Sequence, residues 1–390
     1  MTGSLNSLRI QRVAIFVFVF ILFLILYSLV FRMWDQDFNA HCIFALEMVQ
    51  GQKAWSGNFL FYWLIGLFSF FGTDISIYKM SLVILLALAS TVRFGWSQFQ
   101  IEKIGLFPSN KGKSIFYTAI IGLSLLFIFA IPVATYLEYG KYYIGNFVPN
   151  VWHNSSIIML FPFAVILFYE SFKQIEQFQT KRNLIILALI IVSVFIKPSF
   201  FFVFGAVYPL FLLIRYKFSK EFWYSIIPVF LGGVCVLLQY YIIYISAESS
   251  GSDSSVIIAP FLAYTEYTEL KYLPFTLLCS FLFPIVYFIM NYKKMIKNRL
   301  WWYVIVSLFV AMSIYFTLAE TGERAAHGNF FWQIVICVWL LFFQSLIFLL
   351  KDIKAEGMNK KNIWLVSLYA LHVIAGGGYL LNMCITGVYY

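Results

Sequence analysis

The segment Trp34-Asp35-Gln36-Asp37-Phe38-Asn39-Ala40-His41 comes directly after a long apolar run. It sets two carboxylates and an imidazole within seven residues of one another. Asp37 and His41 are four apart and share a face if the segment is helical. Asp35 falls at the junction between apolar run and helix. A carboxylate walled by aromatic rings and lipid loses part of its hydration, its pKa rises, and it becomes able to take a proton from a hydroxyl. Catalytic roles therefore fall to Asp35, Asp37 and His41. The alternative is that Asp35 or Asp37 only caps the next helix.

Two further groups carry polar chemistry between apolar stretches. The first holds Glu138 and, a few residues on, Asn150, Trp152, His153 and Asn154. Aromatic rings stack on the apolar faces of sugars, and amides and imidazoles bond their hydroxyls. An interfacial aromatic belt would explain the rings, but not Asn150, His153 and Asn154 together. The second holds Glu320, Glu323, Arg324, His327 and Asn329, with Gly322 and Gly328 between them. Arg324 and His327 ahead of a helix start make an anion site; alternatively Arg324 neutralises Glu320 or Glu323. Glu323 and Asn329 add hydroxyl-binding capacity. Lys197, in Lys197-Pro198-Ser199, either contributes a second positive charge to that site or reaches for the interface. His372 lies inside the last apolar stretch and reads as a hydrogen bonder between helices. A Gly-rich phosphate loop and the HExxH pattern are both absent, which weighs against ATP-driven and zinc-protease chemistry.

The elements that must position these residues are apolar helices. The chain has 390 residues, is 62% hydrophobic and 11% charged, and has a mean hydropathy of +0.86. A soluble domain carries about a quarter charged residues. The apolar runs are continuous over about 20 residues, so they read as helices rather than barrel strands. We expect an all-α polytopic membrane protein, a single transmembrane domain over residues 1–390. The expected spans are 13–32, 76–95, 114–134, 155–172, 184–197, 200–214, 223–245, 273–291, 301–319, 332–350 and 363–385, about eleven in all. The net charge of +10 does not indicate nucleic acid. Its basic residues form short clusters (Arg9/Arg12, Arg93 to Lys113, Lys173 to Arg182, Arg215 to Lys220, Lys293 to Arg299, Lys351 to Lys361) that share one side under this assignment. By the positive-inside rule that side is cytoplasmic, with the N-terminus in and the C-terminus out. His41, His153 and His327 then fall outside.

Residues 59–72 are apolar, but fourteen residues are short of the roughly 20 needed to cross. A crossing there would also throw every later basic cluster to the outside. The first outer loop, 33–75, is therefore expected to hold two juxtamembrane helices, 38–50 ended by Gly51 and 59–72. The polar segment 246–271 is a flexible outer loop, either a lid or a solvated linker. The five cysteines imply no disulfide framework.

This layout resembles the GT-C class of integral membrane glycosyltransferases, which includes protein O-mannosyltransferases and the transferase that adds aminoarabinose to lipid A. The likeness rests on Asp35 and Asp37 after the first span, the aromatic run that begins at Asn58 in the first outer loop, and Lys197-Pro198 after a mid-chain span. It implies a donor sugar on a polyprenyl phosphate, a glycan or glycolipid acceptor with a free hydroxyl, and an active site facing outside the cytoplasm of a bacterial plasma membrane. It implies Asp35, then Asp37, as the base. Arg324, Lys197 and His327 would hold the donor phosphate, and Glu138, Asn150, Trp152, His153, Asn154, Glu323 and Asn329 would contact sugar or acceptor. The resemblance admits a divalent cation, but the second outer loop has Glu138 and no Asp-x-Asp, so a metal stays unassigned. A polymerase or ligase of diphosphate-linked repeat units, a transporter of lipid-linked glycans and a structural envelope subunit are the rival readings.

Overall fold

The computed structural model describes residues 2–33, 37–107, 111–245, 255–322 and 328–388. Among these residues the chain is almost wholly helical. Eight helices are long and apolar enough to cross a membrane: α1 (Thr2–Val30), α4 (Ile75–Glu102), α7 (Ser155–Glu176), α9 (Ser199–Tyr216), α10 (Lys220–Tyr240), α14 (Arg299–Thr317), α15 (Trp332–Glu356) and α16 (Lys360–Thr386). α12 (Leu273–Ser280) and α13 (Leu282–Met295) make a ninth if taken as one span bent by 67°. Two of the eleven expected spans fall short of that length. One is α8 (Thr180–Ile196), of 17 residues, and the other is α5 (Lys111–Ser124), of 14. The short helices α2 (Phe38–Val49) and α3 (Phe59–Phe68) fill the segment between α1 and α4, and α6 (Val133–Tyr139) precedes the loop that leads to α7. Gly51, at φ +71°, ends α2 as its position in the sequence requires.

Apart from Arg93, the six basic clusters gather at one end of the bundle, tied by contacts between them. Arg12 pairs with Glu102 at 2.8 Å and Lys354 donates to the Ile104 carbonyl at 2.6 Å. Arg299 pairs with Glu176 at 3.3 Å, and the Tyr216 hydroxyl donates to the Gln174 carbonyl at 3.0 Å. Lys294 pairs with buried Asp352, and Lys361 donates to Asn291 at 3.2 Å. α1 therefore leaves this end and α4 returns to it, so the segment between them makes no net crossing.

Arg93 departs from the expected basic loop. It lies within α4, only 7% exposed, with its guanidinium 4.0 Å from the Phe161 ring centroid and 5.7 Å from that of Trp339. Its Nη2 donates to Asn150 Oδ1 at 2.9 Å. Aromatic faces and an amide oxygen replace the water that a charge would otherwise require.

The expected span 114–134 also differs, because α5 stops at Ser124 and residues 125–132 run without helix. Residues 125–127 form a turn, and 128–132 have no regular structure. Backbone freed in an apolar bundle must find partners there. Asn150 Nδ2 donates to the carbonyls of Leu125 (3.1 Å) and Ile128 (2.9 Å), and Trp339 Nε1 donates to Leu125 (3.1 Å). His372 Nδ1 bonds the Phe129 carbonyl at 2.7 Å, and its Nε2 accepts from the Phe283 N–H, at the α12–α13 bend, at 3.3 Å. Gly376 lets the strip lie against α16, since a methyl group there would overlap the Phe127 carbonyl. α15 is the hub: every residue of its most apolar stretch is buried.

Of the segment 246–271, the described residues 255–271 include a short strand and helical turns. β1 (Val256–Ile258) pairs antiparallel with β2 (Leu318–Glu320), and the turn α11 (Leu262–Thr265) packs buried Tyr264 below it.

Candidate functional site

The end opposite the basic clusters gathers the starts of α2, α7, α9 and α15. Asp37 stands at the N-cap of α2, yet its carboxylate does not cap that helix. It crosses to α7, where Oδ1 accepts from both the Ser155 N–H and the Ser155 hydroxyl, each at 3.0 Å. A helix N-terminus attracts negative charge, so Asp37 fills the anion position that the start of α7 offers. Asn154 caps the same helix, accepting from the Ile157 N–H at 3.1 Å. The second Asp37 oxygen faces His41 Nε2 at 3.3 Å, across one helical turn. His41 Nδ1 meets the Tyr62 hydroxyl of α3 at 3.0 Å.

Lys197 reaches the same place from the break between α8 and α9. Pro198 disfavours helical backbone at the residue before it, and Lys197 is extended (φ −165°, ψ 122°). Its Nζ donates to Ser156 Oγ at 3.0 Å and lies 5.0 Å from the Trp332 ring centroid. Ser156 in turn donates to Asn154 Oδ1 at 3.1 Å. His153 is buried, edge-on to Tyr143 with ring centroids 4.9 Å apart, and its carbonyl accepts from the Asp37 N–H at 3.4 Å. Buried Glu320 at the end of β2 accepts from Asn329 at 2.6 Å.

These charges tune one another. Burial alone would raise the Asp37 carboxyl. The His41 imidazole, the Ser155 N–H and the Lys197 charge outweigh that and hold it below the usual carboxylate range. Burial pushes Lys197 down to about 8, against the pull of Asp37 and Glu320. Burial likewise pushes His153 down to about 4, with Asp37 opposing.

Asp37, His41, His153, Asn154 and Lys197 are thus brought together, with Asn329 joined through Glu320. Asn150 and Trp152 stand apart: Asn150 serves the unwound strip, and buried Trp152 lies in a ring cluster with Phe127, Phe129 and Tyr379. Glu138 is on the exposed face of α6 beside Tyr272. Asp35, Glu323, Arg324 and His327 lie outside the described residues. Among the described residues, no group of three or more His, Cys, Asp or Glu side chains could hold a metal ion. A small cleft lined by Glu266, Tyr315, Glu320, Asn329 and Phe330 opens beside β2.

Sequence reasoning missed Tyr62, Trp332 and the serines at 155 and 156. The serines were legible, because Asn-Ser-Ser ahead of an apolar run is a helix start. Tyr62 was not, since nothing in the run 59–68 marks one ring as facing His41. No protein-family model matches the chain, and no curated protein matches it.

Proposed function

We propose that this protein is a membrane glycosyltransferase. It moves a sugar from a polyprenyl-phosphate donor to an acceptor hydroxyl, in the synthesis of cell-surface polysaccharide or glycolipid. One observation carries the reading: the Asp37 carboxylate with its His41 partner and the cation Lys197 converge on the start of α7, at the end of the bundle away from the basic clusters. Transfer needs a group to take the acceptor proton and a positive charge to hold the leaving phosphate. Since both Asp37 oxygens are engaged, its work is to orient His41. His41 takes the proton, and Asp35, the first choice of base from the sequence, stays a candidate for the same role. Lys197 binds the phosphate, because the α7 terminus is already filled by Asp37. His153, Asn154 and Asn329 line the approach for hydroxyls. The site works outside the cytoplasm of a bacterial plasma membrane, a reading that the basic clusters at the far end support through the positive-inside rule. Displacement by the acceptor oxygen inverts the anomeric centre.

The test uses purified protein in lipid with a panel of polyprenyl-phosphate and polyprenyl-diphosphate sugars and glycan acceptors. Release of free lipid phosphate is measured for wild type, Asp37→Asn, His41→Gln and Asp35→Asn. We expect release from a monophosphate donor, lowered about 100-fold or more in Asp37→Asn. Wild-type rates in all three variants would sink the site. Release of a diphosphate would move the protein to the polymerases and ligases. Passage of the lipid across the bilayer without turnover would make it a transporter.

A further inference from the structure

His41 is engaged at both ring nitrogens, and the chemistry of its two partners sets the direction of every proton. Asp37 is a carboxylate and can only accept, so the proton between them is on His41 Nε2. In a neutral imidazole Nδ1 then holds a lone pair, and the Tyr62 hydroxyl donates to it. This is the order found where a base activates a hydroxyl: carboxylate, imidazole, O–H. Packing fixes the geometry. Phe61 and Phe44 stand edge-on to the His41 ring, at centroid distances of 5.2 and 6.4 Å, and Ser155 holds the far side of Asp37.

We propose that Tyr62 is the acceptor-facing end of a proton relay, Tyr62–His41–Asp37, through which the acceptor hydroxyl loses its proton. The proposal rests on the transferase reading. In the transfer step the acceptor oxygen forms its bond to the anomeric carbon while the bond to the phosphate oxygen breaks, and the phosphate departs with that electron pair. The acceptor proton passes to Tyr62 Oη as the Tyr62 proton passes to His41 Nδ1. His41 becomes an imidazolium beside the Asp37 carboxylate and later releases the proton to water.

The charged and titratable groups around the relay come from each element packed on it. Lys197, from the α8–α9 break, acts on Asp37, and Asp37 acts on His153 in the loop before α7. Lys79 of α4 acts on Cys42, the neighbour of His41 in α2. Lys53 lies 3.8 Å from the Phe44 ring centroid. None of these stands between Tyr62 and His41.

Two measurements test the relay. The first is nitrogen-15 NMR of histidine-labelled protein in nanodiscs; the chain has four histidines, and His41→Gln identifies the signals of His41. We expect Nε2 protonated, Nδ1 unprotonated, and the Nδ1 signal shifted in Tyr62→Phe. A protonated Nδ1, or one that Tyr62→Phe leaves unmoved, overturns the relay even if transfer proceeds. The second is lipid-phosphate release from pH 6 to pH 9. Tyr62→Phe should lower kcat about 100-fold with donor KM unchanged and a flattened pH profile. If wild type turns over and Tyr62→Phe matches it in kcat and pH profile, the hydroxyl only pins α3 to α2, and the transferase reading stands without the relay. If wild type turns over no donor, the transferase reading falls and the relay with it.

Discussion

Lys197 and His153 show how burial at one site turns ordinary side chains into pH-sensitive ones. Lys197 is held at about 8 in the folded protein, so its charge fades as pH rises through that value. Donor binding that relies on it should weaken between pH 7 and pH 9, while Lys197→Arg, charged throughout, should keep its affinity at pH 9. Titrating a fluorescent polyprenyl phosphate against both proteins checks this. His153 acts on stability instead. Its folded value of about 4 lies below the ordinary histidine value of 6.5, so between those values the unfolded chain binds a proton that the folded chain refuses. Stability is fully present above pH 6.5 and falls as pH drops toward 4. Thermal midpoints across that range should fall for wild type and fall less steeply for His153→Gln.

Among the elements, the unwound strip 125–132 is the one with sharp consequences. Three side chains from three other segments serve its backbone, and one glycine admits it. Gly376→Ala should cost about 3 kcal/mol, because the methyl group meets a backbone carbonyl that cannot rotate away. Gly377→Ala and Gly378→Ala meet open space and should leave the thermal midpoint in detergent unchanged. Equal losses at all three positions would show that the strip does not lie against α16. The short helices α2 and α3 differ in kind. Their starts and the Gly51 stop were readable from spacing and turn chemistry, while α3 ends at Phe68, four residues before the expected end at 72. Their contacts with α7 and with each other were not, because those depend on how distant segments pack.

For the whole molecule, the six clusters of Lys and Arg, Arg93 apart, share one end and the Asp37 site occupies the other. If the positive-inside rule sets the orientation, a cysteine replacing exposed Met358 faces the cytoplasm and one replacing exposed Gln52 faces outside. With exposed Cys384 changed to serine, an impermeant thiol reagent on intact cells should label Gln52→Cys and spare Met358→Cys. The reverse pattern would put the site in the cytoplasm and end the proposal of an outward-facing transferase.

Local composition alone was enough for the coarse architecture. Continuous apolar runs made the chain a helical membrane bundle, and clustered charge put its basic loops at one end. A fourteen-residue run was too short to cross, and Asp37 and His41 had to share a turn. The pairing of distant groups came only from packing in three dimensions. Packing drew the Asp37 carboxylate away from its own helix to the positive end of α7, beside Lys197 160 positions further along the chain. It also took Arg93 out of the expected loop and Asn150 out of the expected site, and used both to hold backbone inside the bundle. Helical periodicity reports which face of a segment is apolar, but not which distant segment will cover it. Buried polar groups are matched by pairing across the fold, where each unpaired donor or charge would be costly.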